Sequence, residues 1–218
     1  MELSAIVLVI ISALLHAGWN VLGKSNQSSG SAFFLASSFS AATLLTPYLV
    51  WYINTVGFSS IGLPFWQLLL LSGICQVVYL VGLGVAYKQA DIGVIYPMAR
   101  ALPVLMVGLG TWVLGYSLAY NQWIGFALIT LGCLVVPLKS FKDLRPRAYL
   151  NLGVLWALIA AIGTTGYSII DKEALLLLGN IDASTATNRD ASVFYLGMQF
   201  WAIALPLSIW LLVSNQSI

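Results

Sequence analysis

The sequence predicts an all-α, polytopic membrane protein of about seven transmembrane helices, arranged as a five-helix inverted repeat whose second copy is incomplete. Three observations carry that expectation. Charged residues make up 7% of the 218 residues, against roughly 25% in an ordinary globular protein. Hydrophobic residues make up 60%. The apolar residues also form continuous runs rather than the alternating pattern of a barrel strand. A soluble fold of this size needs far more polar surface to face water.

The same arithmetic excludes other classes. Nine Lys+Arg against seven Asp+Glu leave no basic field for a nucleic-acid backbone. Two cysteines, Cys75 and Cys133, both lie inside apolar runs and read as small buried hydrophobes rather than a disulfide framework.

A bilayer core of about 30 Å takes about 20 apolar residues as a helix. The first run, Leu3–Gly23, reads as a span and not as a signal peptide, because Glu2 stands where a basic segment belongs and the apolar core is long. Ala32–Ile53 follows a polar break at Asn26 to Ser31, and Phe65–Tyr87 follows Asn54 to Pro64. Gly93–Leu114 carries two prolines. Gln122–Leu138 is shorter, and follows the break Tyr116 to Asn121. Ala148–Ile170 follows the basic connection Lys139 to Arg147. Ser192–Val213 is the seventh, after a connection from Asp171 to Asp190 that is mixed in sign. Trp51, Tyr52, Trp66, Tyr120, Trp123 and Tyr149 gather at run ends, as interfacial anchors do.

Orientation follows from Lys and Arg. Lys24, Lys88, Lys139, Lys142, Arg145 and Arg147 share one side, while Lys172 and Arg189 lie on the other. The positive-inside rule puts the first group in the cytoplasm and the N-terminus outside.

An internal repeat is legible. Ala13–Lys24, ALLHAGWNVLGK, aligns with Ala161–Lys172, AIGTTGYSIIDK, so that Gly18 meets Gly166, Trp19 meets Tyr167, Asn20 meets Ser168 and Lys24 meets Lys172. Five runs separate the two starts, an odd number, so the second copy enters the membrane from the opposite face. That is the inverted repeat of many secondary transporters. The expected units are a five-helix repeat over 1–138 and a partial second repeat of two helices over 148–218. Three helices of that second copy are then expected to be absent.

Charged residues inside a span are costly and mark functional sites by default. Arg100 lies within the fourth run, between Pro97 and Pro103. Each proline removes a backbone donor, and a helix broken there exposes polar backbone to a cavity. The guanidinium fork suits a carboxylate or phosphate; snorkelling and a structural pair with Asp91 or Asp171 are the alternatives. No Asp or Glu falls inside the seven runs. His16, Asn20 and Lys24 are spaced by four and share a helix stripe. His16 is the candidate proton-coupling site, with an interhelical hydrogen bond as the alternative. Gln76, Tyr79, Leu83 and Tyr87 share a face of the third run, and Tyr96 precedes Pro97; aromatic cavity walls and core packing explain them equally. Gln199 is an isolated amide without an assigned role. Small residues in Gly125 to Gly132, and at Gly153, Ala157, Ala160 and Thr164, read as helix contact surfaces. No HExxH, GxSxG or Walker pattern occurs, and one His builds no metal cluster, so no catalytic residue, metal or cofactor is expected.

ALLHAGWNVLGK, the segment YKQADIGVIYPMARALP from Tyr87 to Pro103, and Gly125-x-x-Leu128-Ile129-x-x-Gly132 together resemble the EamA-type branch of the drug/metabolite transporter superfamily. The resemblance implies a ten-helix carrier of two inverted halves around a central cavity, moving amino acids, other metabolites or drugs, mostly as a proton-linked exporter or exchanger. It implies a cavity lined by His16, Trp19, Asn20, Tyr79, Tyr96 and Arg100. One departure is the acid that members often carry after the Leu-Gly ending helix 4; here Leu114-Gly115 is followed by Tyr116.

The expectation is a multi-pass carrier in the inner or plasma membrane that moves a small metabolite by alternating access. Arg100, Tyr96, Asn20, Trp19 and Tyr79 bind substrate, and His16 couples protons. Its partners are the lipid bilayer, a small-molecule substrate and, as an open alternative, a second copy in a homodimer. The other reading is a truncated, non-transporting membrane protein or helper subunit.

Overall fold

A computed structural model describes residues 3–25, 30–89, 92–135, 151–181 and 186–213. The described residues form seven α-helices and one 3₁₀ turn, and contain no strand. The helices are α1 (Leu3–Ser25), α2 (Gly30–Val56), α3 (Leu63–Gln89), α4 (Ile92–Val113), α5 (Tyr120–Val135), α6 (Leu152–Gly179) and α7 (Asn188–Val213). The basic connection Lys139 to Arg147 lies outside the described residues.

Among the described residues, four helices are long and apolar enough to cross a bilayer: α2 from Ala32, α3, α6 and α7. This marks a membrane protein. The other three expected spans are helical too: α1 has 23 residues, α4 has 22, and the described part of α5 has 16.

The largest departure from expectation is in α6. The sequence reading ends its sixth run at Ile170, yet the helix continues nine residues further, to Gly179. Asp171, Lys172 and Glu173 therefore belong to a helix and not to a connection. The four leucines Leu175 to Leu178 continue the apolar pattern past the three charges, with Leu178 buried. Gly179 and Asn180 then end the helix, and the Asn180 N–H donates to the Leu176 carbonyl at 3.2 Å.

Local chemistry fixes the other ends. Asn151 caps α6, its side chain accepting from the Val154 N–H at 2.9 Å. Thr187 and Asp190 form a reciprocal box at the start of α7: the Asp190 carboxylate accepts from the Thr187 N–H at 2.8 Å, and Thr187 Oγ1 accepts from the Asp190 N–H at 3.3 Å. Helix α4 closes on Gly115 at φ +89°. The Tyr116 and Gly115 N–H groups return to the Thr111 and Trp112 carbonyls, and glycine adopts that turn without a Cβ clash. Hydroxyls inside the helices bond back one turn, as in Thr46 to Ala42 and Ser168 to Thr164. Such bonds satisfy them where water is absent.

The centre of the fold is the seam between α3 and α6. It is built from small residues: Gly153, Ala157, Ala160, Gly163 and Thr164 of α6 are all buried. A Cβ at Gly163 would lie 2.6 Å from the Cys75 carbonyl oxygen and 2.7 Å from the Tyr79 nitrogen, so only glycine fits without a shift. Helix α4 packs on the same α6, α7 packs on α2 and α3, and α5 packs on α4. Among the described residues, nothing lies within 4 Å of a Cβ at Gly125 or Gly132. Within that segment the contact with α4 runs through Phe126, against Gly108, and through Thr130, which donates to the Ala101 carbonyl at 3.3 Å.

Two apolar clusters sit along the helix bundle. One gathers Phe34, Leu83, Ile95, Ala157 and Leu207. The other gathers Tyr52, Phe65, Leu178 and Phe194, with Tyr52 and Phe194 stacked at 4.3 Å. The polar groups of the candidate site lie along the α3–α6–α7 seam that carries both clusters. Outward-facing side chains such as Leu44 (80% exposed) and Leu212 (74%) are what lipid solvates.

Candidate functional site: a polar file through the helix bundle

Helices α3 and α6 run antiparallel, so Ser72 lies beside Asp171, Cys75 beside Gly166 and Tyr79 beside Gly163. Along that seam the polar side chains form a file with an anion at one end and a cation at the other.

Asp171 holds the first end. Its Oδ1 accepts from Ser72 Oγ of α3 and from the Tyr195 hydroxyl of α7 at 2.6 Å. Its Oδ2 accepts from Gln199 Nε2 of α7 at 2.6 Å. Gln76 Nε2 in turn donates to Ser72 Oγ at 3.3 Å. Ser72 and Gln76 are one turn apart on α3, as are Tyr195 and Gln199 on α7. A single carboxylate therefore ties three helices together through neutral donors. Hydrogen bonding of this kind is what makes a charge tolerable in a low-dielectric interior.

Arg100 holds the second end. Its Nη2 donates to the Tyr79 hydroxyl at 3.1 Å and meets Nε2 of His16. The guanidinium carbon also lies 5.8 Å from the Tyr79 ring centre, a cation–π contact. Between the two ends stand Tyr79 and Tyr167, edge to face at 6.0 Å. Ser72 and Tyr79 are seven residues apart on α3, about 10 Å along its axis.

Beside the anionic end lies a cleft of about 750 Å³ between α6 and α7. Tyr167, Ser168, Asp171, Lys172, Asn180 and Asn188 are among its lining residues. Lys172 is exposed, and its ammonium sits 3.6 Å over the Tyr116 ring. The Tyr116 hydroxyl donates to Glu173 Oε1 at 2.8 Å, which fastens the α4–α5 turn to α6.

The sequence-predicted residues fall as follows. Arg100, Tyr79 and His16 are brought together. Trp19 and Asn20 lie on α1 and Tyr96 on α4, but their side chains, like that of Lys24, are outside the described residues. Arg100 meets Tyr79 and His16, and Asp171 is held by Ser72, Tyr195 and Gln199. Sequence reasoning missed the whole anionic end, because it assigned Asp171 to a connection and Gln199 to nothing. The signal was present in the apolar Ala174 to Leu178, which continues the helix beyond the three charges.

A helical membrane protein with opposite charges held inside its helix bundle is the class that fold and site define. No known family, curated protein or solved structure matches the chain.

Proposed function

We propose that this protein is a membrane carrier for a small metabolite that bears an anionic group, working by alternating access. The observation that carries the reading is Arg100: a half-buried guanidinium on a helix with Pro97 and Pro103, held in place by Tyr79 and His16. A fork so positioned receives a carboxylate or phosphate in two parallel hydrogen bonds. Trp19, Asn20 and Tyr96 belong to the same proposed binding region. The sequence resemblance to EamA-type transporters supports the reading, as does the expected repeat in which Trp19 of α1 would correspond to Tyr167 of α6. The inner or plasma membrane is its proposed location.

The test is flux of a radiolabelled amino-acid mixture in liposomes containing the purified protein. Wild-type protein should move label, and Arg100→Ala should abolish movement while still inserting. Undiminished flux in Arg100→Ala would remove the role given to that residue.

A second reading, a helper subunit in a larger membrane assembly, is favoured by α1. Every described side chain from Ile6 to Gly18 is exposed, and the helix packs on α2. Extraction in mild detergent followed by mass measurement separates a lone chain from an assembly.

A further inference from the structure

We propose that Asp171 is the site at which the protein takes up and releases a proton. Proton binding there stands on geometry alone, while its use in driving flux rests on the carrier reading above.

Three features point to a proton rather than another cation. The partners of the carboxylate, Ser72, Tyr195 and Gln199, are all neutral, so its formal charge is balanced by donors and not by a cation. The oxygens stand at hydrogen-bond spacing, 2.6 Å from the Tyr195 hydroxyl to Oδ1. And the two hydroxyls on Oδ1 are rotors that donate or accept as required. When water in the cleft delivers a proton to Oδ1, the carboxyl becomes a donor, and the Ser72 or Tyr195 hydroxyl turns to accept from it. Ser72 still accepts from Gln76. No side chain has to leave its place, and the proton returns to water by the same route.

The cleft supplies that route. It runs from Asn180 and Asn188, where α6 ends and α7 begins, to Asp171, eight residues or about 12 Å along α6 from Gly179. The groups that face Asp171 are identifiable from each element. Helix α3 presents Ser72, Cys75 and Gln76, and beyond them Tyr79. Helix α7 presents Tyr195 and Gln199, while its Asp190 is turned to Tyr48 of α2. On α6 itself, Tyr167 lies one turn away, and Lys172 and Glu173 are engaged with Tyr116. From α4, Arg100 contacts Tyr79, whose ring meets Tyr167 edge to face. Neutralising Asp171 removes the one formal charge that joins α3, α6 and α7, so proton binding is linked to how closely these three helices are held.

The experiment is infrared difference spectroscopy of the protein in liposomes, stepped between acid and alkaline buffer. Wild-type protein should give a protonated-carboxyl band that is lost in Asp171→Asn. Because Asn could disturb insertion, Tyr195→Phe provides a second reading: it keeps the carboxyl but removes one partner, and should shift the frequency of the same band. A carboxyl spectrum unchanged by both substitutions, in protein whose helical circular dichroism is intact, overturns the proposal. Flux separates the two readings. If wild-type protein carries label down a pH gradient, Asp171→Asn should lose that drive but keep exchange at equal pH. Gradient-driven flux that survives Asp171→Asn overturns the coupling role and leaves the carrier standing. An Asp171 band in protein that moves no label supports the proton site and defeats the carrier.

Discussion

Tyr79 holds Arg100 twice, with its hydroxyl 3.1 Å from Nη2 and its ring 5.8 Å from the guanidinium carbon. The two contacts are separable by mutation. Tyr79→Phe keeps the ring, and with it the contact against Tyr167, but removes the hydroxyl. A hydrogen bond to a charged group is worth about 1.5–3 kcal/mol, so the guanidinium should lose its fixed orientation without loss of fold. The concentration giving half-maximal flux of an anionic substrate should rise about tenfold or more. An unchanged half-saturation would detach Tyr79 from substrate binding.

The α3–α6 seam predicts a sharp contrast between glycines. A methyl at Gly163 meets backbone atoms of Cys75 and Tyr79 at 2.6 and 2.7 Å. Backbone cannot swing aside, so Gly163→Ala should force the helices apart and cost about 1–3 kcal/mol. Gly125→Ala meets nothing within 4 Å and should be neutral or favourable by up to about 1 kcal/mol, since alanine suits a helix better than glycine. Thermal unfolding in detergent, followed by circular dichroism, should show a lowered midpoint for the first variant only.

These two glycines also show what could be read without coordinates. Apolar length and turn chemistry are local, so the seven helices and most of their ends follow from the sequence. Gly153, Ala157, Ala160 and Thr164 follow too, because small residues at helical spacing mark a close approach. Which small residues meet a partner is a tertiary property, and Gly125 and Gly132 carry the same local signal without one among the described residues. Arg100 stood out because a charge between prolines in an apolar run is anomalous by itself. Asp171 did not, because it begins a three-residue charged group that looks like the edge of a span. Only the docking of Ser72, Tyr195 and Gln199 around it, from positions 99, 24 and 28 residues away, turns it into an interior group. Such convergence of separate helices is invisible to any periodicity.

Tyr116 lies outside the helices, and its titration reports the turn between α4 and α5. Its hydrogen bond to Glu173, and then the charge of that carboxylate, push the phenol above the ordinary tyrosine value. The neutral phenol is the form that donates. The contact is therefore complete below the ordinary tyrosine range and is lost as pH rises through the elevated value. Glu173→Gln removes the anion, so the Tyr116 phenolate should appear at lower pH than in wild-type protein. Ultraviolet titration of the difference between wild-type protein and Tyr116→Phe isolates this group. A midpoint that Glu173→Gln leaves in place would mean that the contact does not form in the bilayer.

The start of α7 combines a cap with a tie between helices, and the two can be weighed against each other. Asp190 Oδ2 accepts from the Thr187 N–H at 2.8 Å and the Thr187 hydroxyl at 2.7 Å, while Oδ1 accepts from the Tyr48 hydroxyl of α2 at 2.8 Å. Thr187→Ala removes capping alone and should cost about 1 kcal/mol. Tyr48→Phe removes the tie alone and leaves the cap in place, and its cost should be small because water competes for this acid. Asp190→Ala removes both and also the favourable interaction of an acid with the helix N-terminus. It should therefore cost more than either single change. Amide hydrogen exchange resolves the pattern by place: Thr187→Ala should quicken exchange in the first turn of α7 only, and Asp190→Ala there and along the facing turn of α2. If Tyr48→Phe and Asp190→Ala gave the same profile, the cap would be contributing nothing and the helix would be held by its contacts with α2.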